Sequence, residues 1–165
     1  TALTLSGLST RSFCYEGLLP TDKKERQVVL ERLKKETRTT VFYEAPHRLL
    51  KTLLLLIEAA GEERKVSVCR EITKRHETVF RATLGETYAY YQANDPKGEI
   101  VLVLEGVSQR KLDEEQQQSW ESMSIEDHMA LYMSQGLQKK EAMKRVAADR
   151  GVTKRDIYQY LVDVK

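Results

Sequence analysis

The sequence predicts an α/β fold, a mixed β-sheet flanked by helices, followed by a small helical domain. Three observations predict it. Up to Glu105, short β-branched and aromatic runs alternate with amphipathic helical stretches in the order βαβαββαβ. Beyond Val107 that alternation stops and only helical periodicity returns, after a polar gap. The 165 residues, 41% hydrophobic with eight Gly and three Pro, suit one medium or two small globular domains rather than a disordered chain.

Taken in order, Ser12 to Leu19 alternates Phe13, Tyr15, Gly17 and Leu19 and stops at Pro20, as a strand would. Thr21-Asp22 then caps a helix carrying Val28, Val29, Leu30 and Leu33. Thr39 to Glu44 reads as a second strand, ending before Ala45-Pro46. Pro46 suits the first turn of a helix with Leu49, Leu50, Leu53, Leu54 and Ile57 at helical spacing, closed by Gly61. Lys65 to Ile72 and Glu77 to Leu84 are the third and fourth strands, separated by the polar loop Thr73 to His76. A short helix, Glu86 to Ala93, leads through Pro96-Lys97-Gly98 to the apolar strand Glu99 to Glu105.

Residues 107–123 are polar, with three successive Gln, and read as a linker between a unit of residues 1–106 and one of residues 124–165. The second unit holds helices over Ile125 to Gln135, Lys139 to Arg150 and Lys154 to Val164. The last two, with Gly151-Val152-Thr153 between them, have the layout of a helix-turn-helix whose core is Val146, Ala147, Val152, Ile157 and Leu161. Thr153 and Asp156 are placed to cap its second helix.

A net charge of +2 excludes nucleic-acid binding by bulk charge alone. Charge is instead unevenly spread: residues 107–127 carry two basic and six acidic side chains, residues 128–165 eight basic and four acidic. Lys139, Lys140, Lys144, Arg145, Lys154 and Arg155 are therefore candidate nucleic-acid contacts, RNA-binding if the tail grips RNA, against the plain alternative of a solvated three-helix bundle. An apolar run such as Leu53 to Ile57, which none exceeds, falls far short of the roughly 20 residues of a membrane helix. Cys14 and Cys69 sit in apolar alternating segments and read as reduced thiols, which predicts a cytoplasmic protein. With His47, His76 and His128 scattered, the two show no spacing that would hold a metal.

Two strands end in polar clusters, Glu44-Ala-Pro-His-Arg48 and Arg70-Glu-Ile-Thr-Lys-Arg-His76. In α/β sheets ligands bind at such carboxyl ends. Surface ion pairs worth about 0 to 1 kcal/mol each are the plain alternative. Gly98 either forms an ordinary turn or lets backbone approach a ligand.

Five segments in register resemble the bacterial 16S ribosomal RNA cytidine-2'-O-methyltransferases of the tetrapyrrole methylase superfamily. They are Ala2-Leu-Thr-Leu-Ser-Gly-Leu, Phe13-Cys-Tyr-Glu-Gly-Leu-Leu-Pro, Val41-Phe-Tyr-Glu-Ala-Pro-His-Arg-Leu-Leu, Arg70-Glu-Ile-Thr-Lys and Lys97-Gly-Glu-Ile-Val-Leu-Val-Leu-Glu-Gly. The resemblance runs through residues 1–106 and implies the second domain of a tetrapyrrole-methylase-like fold, with a helix-turn-helix-like tail. It implies S-adenosylmethionine as cofactor, 16S ribosomal RNA in the small ribosomal subunit as substrate, and a homodimer. The family's glycine-rich motif and Gly-Asp-Ala-Gly-Thr-Pro-like segment do not occur here, and by the resemblance Thr1 falls in a helix opening the second half. The chain is therefore expected to be a C-terminal portion, inactive alone.

By position, the resemblance carries a cofactor role to Tyr43, Cys69, Arg70, Gly98 and Glu99. Glu44, His47 and Glu71 are candidate bases for the ribose hydroxyl, while Arg48, Lys74 and Arg75 are candidate phosphate contacts. Ala45 stands where the commoner family pattern has Ser, which removes a hydroxyl from that turn. A reading of another class is a DNA-binding regulator, its helix-turn-helix governed by an α/β ligand-sensing domain.

Overall fold

The computed structural model describes residues 1–163, so Val164, where the last predicted helix ends, lies outside the described residues. Contacts divide the chain into two compact units, Thr1–Ser108 and Gln109–Lys165.

The first unit contains α1 (Ala2–Ser6), β1 (Phe13–Leu18), α2 (Lys23–Leu33), β2 (Thr39–Glu44), α3 (Leu49–Ala60), β3 (Lys65–Arg70), β4 (Thr78–Thr83), α4 (Leu84–Ala93) and β5 (Ile100–Leu104). Its sheet has the order β1-β2-β5-β3-β4. β1 and β2 are parallel, while β5 runs antiparallel to β2 and β3, and β4 antiparallel to β3. The carboxyl ends of β1, β2 and β3 therefore share one edge, where β4 and β5 begin. Along that edge Glu44, Ile100, Arg70 and Thr78 stand in one register row.

Local chemistry explains the boundaries. The Asp22 carboxylate accepts hydrogen bonds from the amides of Lys24 and Glu25, which starts α2. Pro46 opens a 3₁₀ turn, Pro46–Arg48, that feeds α3. Leu84, expected in the fourth strand, instead begins α4, because Thr83 and Glu86 close a reciprocal capping box around the helix start. β3 ends at Arg70 rather than Ile72, since Glu71 and Thr73 adopt φ of 50° and 66°, incompatible with an extended strand.

Strand alternation places Phe42, Leu102 and Val68 on one face, where they pack with Leu30 and Leu33 of α2 and Leu53 of α3. Burial of each such side chain contributes about 1.5–3 kcal/mol. The other face is covered over its centre by α1, held by Ser67 Oγ donating to the Ser6 carbonyl at 2.8 Å and Arg81 Nε donating to that of Leu5 at 2.9 Å. Over β1 and β2 this face remains open, with Phe13, Tyr15 and Tyr43 about half exposed and the two tyrosine rings edge to face at 5.3 Å.

The second unit holds α5 (Gln109–Ser122), α6 (Ile125–Ser134), α7 (Lys139–Asp149) and α8 (Lys154–Asp163). The stretch expected as a linker is thus mostly helical, although α5 buries no residue fully. Side-chain pairs four residues apart support it: Gln109 with Asp113 at 2.9 Å, Arg110 with Glu114 at 2.7 Å, and Gln117 with Glu121 at 3.2 Å. The core of this unit is Met129, Ala142, Met143, Val146, Ala147 and Ile157, with Leu161 against it. Val152, expected in that core, is 43% exposed because it lies in the turn between α7 and α8. The expected cap forms, Thr153 Oγ1 accepting from the Asp156 amide at 3.2 Å and Asp156 Oδ2 from the Thr153 amide at 2.8 Å.

His128 of α6 is fully buried, stacked on Trp120 at 4.2 Å. Arg150 Nε donates to its Nδ1 at 3.1 Å, which leaves the proton on Nε2, 3.2 Å from Asp149 Oδ2. Burial and then the Arg150 charge hold its pKa below the ordinary value, against the opposing pull of Asp149. The unfolded chain therefore binds this proton more readily than the folded one. Stability is complete above the unfolded value of about 6.5 and declines as pH falls through and below it. The melting temperature of the helical unit should drop between pH 7 and pH 5, and His128→Gln should flatten that part of the profile; an equal drop in the variant would assign it to other groups.

Candidate functional site

At the carboxyl edge of the sheet lies a cleft of about 660 Å³, within the size range of small-molecule sites. Leu18, Ile72, Ile100 and Val101 give it apolar walls, and Tyr43 to Pro46 and Gly98-Glu99 border it. A second hollow of about 460 Å³ over the open sheet face also takes in Tyr43, Ile72 and Val101. The sequence reading missed the apolar walls, although Ile72 stands out as an apolar residue in a charged loop.

The Gly98-Glu99 border is clamped. The Glu71 carboxylate accepts the Glu99 amide at 2.6 Å, and the Glu71 amide donates to the Glu99 carbonyl at 2.9 Å. Lys74 Nζ bridges Glu71 Oε1 at 3.3 Å and Glu99 Oε2 at 3.0 Å. At φ 83°, Gly98 leaves the room that the Glu71 carboxylate occupies, since a Cβ there would collide with it. The Glu99 amide, then the Lys74 ammonium, hold Glu71 below the usual carboxylate range, and Glu99 followed by Glu71 raises Lys74.

Glu44 turns inward. Its side chain is fully buried, with Oε1 accepting the Ala45 amide at 2.8 Å and Oε2 accepting the Thr52 hydroxyl at 2.5 Å. Arg48 Nε lies 3.4 Å from Oε1, and another Arg48 nitrogen donates to the Leu19 carbonyl at 2.6 Å. His47, between them, is exposed and has no hydrogen-bond partner among the described residues. Of the three candidate bases, it alone has its side chain unengaged.

The remaining candidates separate by face. Tyr43 is exposed and borders the cleft, whereas Cys69, in the same register row, is buried with its thiol toward the Ala2 carbonyl of α1. Burial pushes that thiol up. Arg70, on the opposite face, donates to Thr78 Oγ1 at 3.0 Å. Arg75 is exposed and, among the described residues, unpaired.

In the helical unit a cleft of about 630 Å³ brings together Lys139, Lys140, Lys154 and Arg155 with Met143 and Tyr158. Lys144 and Arg145 are exposed but outside its lining. No helix among the described residues is long and apolar enough to cross a membrane.

The profile of the tetrapyrrole (corrin/porphyrin) methylases matches residues 1–88. The chain belongs to the tetrapyrrole methylase family. Among relatives, it is 42% identical over 158 residues to ribosomal RNA small subunit methyltransferase I of Bacillus subtilis, covering 96% of this chain and 53% of that protein. The proteins of that name in Halalkalibacterium halodurans and Synechocystis sp. are 46% and 38% identical, covering 96% and 99% of this chain and 54% and 57% of theirs. The chain thus spans about half the length of these relatives. Cobalt-precorrin-4 methyltransferase shares the tetrapyrrole methylase fold, with a TM-score of 0.50 at 16% identity over 63% of this chain and 46% of that one.

Proposed function

We propose that this chain is the C-terminal portion of an S-adenosylmethionine-dependent, cytoplasmic methyltransferase that acts as a homodimer. Its target in this reading is the 2'-oxygen of a cytidine ribose in 16S ribosomal RNA of the small subunit. The observation that carries it is the 42–46% identity, over 96% of the chain, to proteins named ribosomal RNA small subunit methyltransferase I. The family match, over residues 1–88, accounts for most of the α/β unit, which a DNA-binding regulator would leave as an unexplained sensor.

The cleft suits such a cofactor. Apolar walls can receive a purine face, and the Gly98-Glu99 backbone that Glu71 holds in place borders the cleft. When bound, S-adenosylmethionine supplies a methyl group made electrophilic by its sulfonium. The chain's own residues then hold, align and deprotonate. In this reading Glu71 and Lys74 fix the Gly98-Glu99 border, Glu44 and Arg48 fix the Ala45-Pro46 wall, and Tyr43 stands at the cleft. Cys69 and Arg70 contribute through the backbone of β3. His47, next to that wall, is the base that takes the ribose hydroxyl proton, with Arg75 near the RNA backbone.

The test uses a polypeptide of the relatives' full length with labelled S-adenosylmethionine and small ribosomal subunits. Label should enter 16S RNA and survive alkaline hydrolysis in a cytidine-containing dinucleotide, the mark of a blocked 2'-oxygen. Label on a base, or none in RNA, would overturn the reading. His47→Ala should lower kcat about 100-fold with little change in the cofactor KM. Glu71→Ala should act mainly on that KM. Unchanged turnover in His47→Ala would exclude it as the base.

A further inference from the structure

The cleft of the helical unit has a composition that phosphate binding alone does not require. Four of its six lining residues are cations, and none is an acid. Lys139 and Lys140 lie in the first turn of α7, Lys154 and Arg155 in that of α8. On each helix an apolar side chain follows one turn later, Met143 four residues after Lys139 and Tyr158 four residues after Lys154. Tyr158 is 58% exposed, although its neighbour Ile157 is buried in the core. The four cations form no salt bridge among the described residues, and Asp156 in the same turn is engaged by Thr153.

A double helix offers phosphates to such a site but keeps its base faces stacked, so Tyr158 would meet nothing planar. A single strand offers both. We infer that this cleft binds single-stranded RNA, with one unpaired base on Tyr158 and the flanking phosphates on Lys139, Lys140, Lys154 and Arg155. The choice of RNA rests on the ribosomal RNA methyltransferase reading above; the single-strand preference rests on the cleft.

The test is fluorescence anisotropy of the full 165-residue chain with a short labelled RNA, the same RNA annealed to its complement, and the matching DNA strand. The single-stranded RNA should bind at least about tenfold more tightly than the duplex. Tyr158→Ala should weaken it about tenfold while Tyr158→Phe, which keeps a ring, should not. Changing the four cations to Gln should lower the log–log salt slope by about 0.7 for each phosphate no longer neutralised. Melting curves matching the parent would show that the variants fold. Equal or tighter duplex binding, equal DNA binding, or binding indifferent to Tyr158→Ala would overturn the assignment. Methyl transfer by the longer polypeptide separates the two readings. Transfer intact with Tyr158-insensitive binding overturns the cleft assignment alone, and absent transfer with Tyr158-sensitive binding overturns only the methyltransferase reading.

Discussion

Gly106→Ala is expected to be the most damaging single-methyl substitution in the α/β unit. A Cβ at position 106 would sit inside the van der Waals shell of the Thr37 carbonyl and 2.8 Å from the Arg38 carbonyl oxygen. Both obstacles are backbone, so no side chain can swing aside. The segment is also pinned from either side, the Glu105 amide donating to the Lys65 carbonyl at 2.9 Å and the Val107 amide to the Glu36 carbonyl at 2.8 Å. Relief requires β5 to part from the chain entering β2, at about 3 kcal/mol or more, a large share of a typical domain's stability. Gly85→Ala is the control: its Cβ would meet Glu62, with Cβ at 3.3 Å and the backbone oxygen no nearer than 3.8 Å, and alanine favours α4. Urea denaturation should show a much lower midpoint for Gly106→Ala and nearly the parent's for Gly85→Ala. Equal midpoints would mean that the crowding at 106 relaxes freely.

Glu44→Ala should have the next largest effect. Removing this carboxylate leaves the Thr52 hydroxyl and the Ala45 amide without their acceptor and the partly buried Arg48 guanidinium with only the Leu19 carbonyl. Breaking a buried pair from one side costs about 3–5 kcal/mol. Glu44→Gln keeps an acceptor oxygen and should cost less, and Thr52→Val, which takes the hydroxyl donor from the buried Glu44 Oε2, should cost about 1.5–3 kcal/mol. A double-mutant cycle between positions 44 and 52 reads their coupling directly. If Glu44→Ala melted with the parent, the carboxylate could not be the strut of the Ala45–Arg48 turn.

These two residues mark where sequence reading stops. The five strands were legible because each is a run of β-branched or apolar residues between turn formers, and β5, Ile-Val-Leu-Val-Leu, was plainest. Strand order was not legible, since nothing local says that β5 inserts between β2 and β3. The polar clusters at the strand ends were visible as composition, and the structure gathers Glu44, Arg70, Glu71 and Glu99 along one edge. Their division of labour was hidden. Period-two alternation does put Glu44 on the face of Phe42 and Thr40, a signal of inward orientation that its charge obscured. Helix α5 was missed for a similar reason: it has no apolar stripe, and its support comes from pairs four residues apart.

The position of β5 sets the timing of folding. Before Leu104 is available, residues 1–99 can form only two separate ribbons, β1 with β2 and β3 with β4, and a two-stranded ribbon is marginal in water. The last strand of the unit is its keystone, pairing with Thr40–Glu44 and Val66–Arg70 at once. A nascent chain leaving the ribosome therefore gains a continuous sheet in one late step, and any truncation before Leu104 should leave both halves exposed to chaperones and proteases.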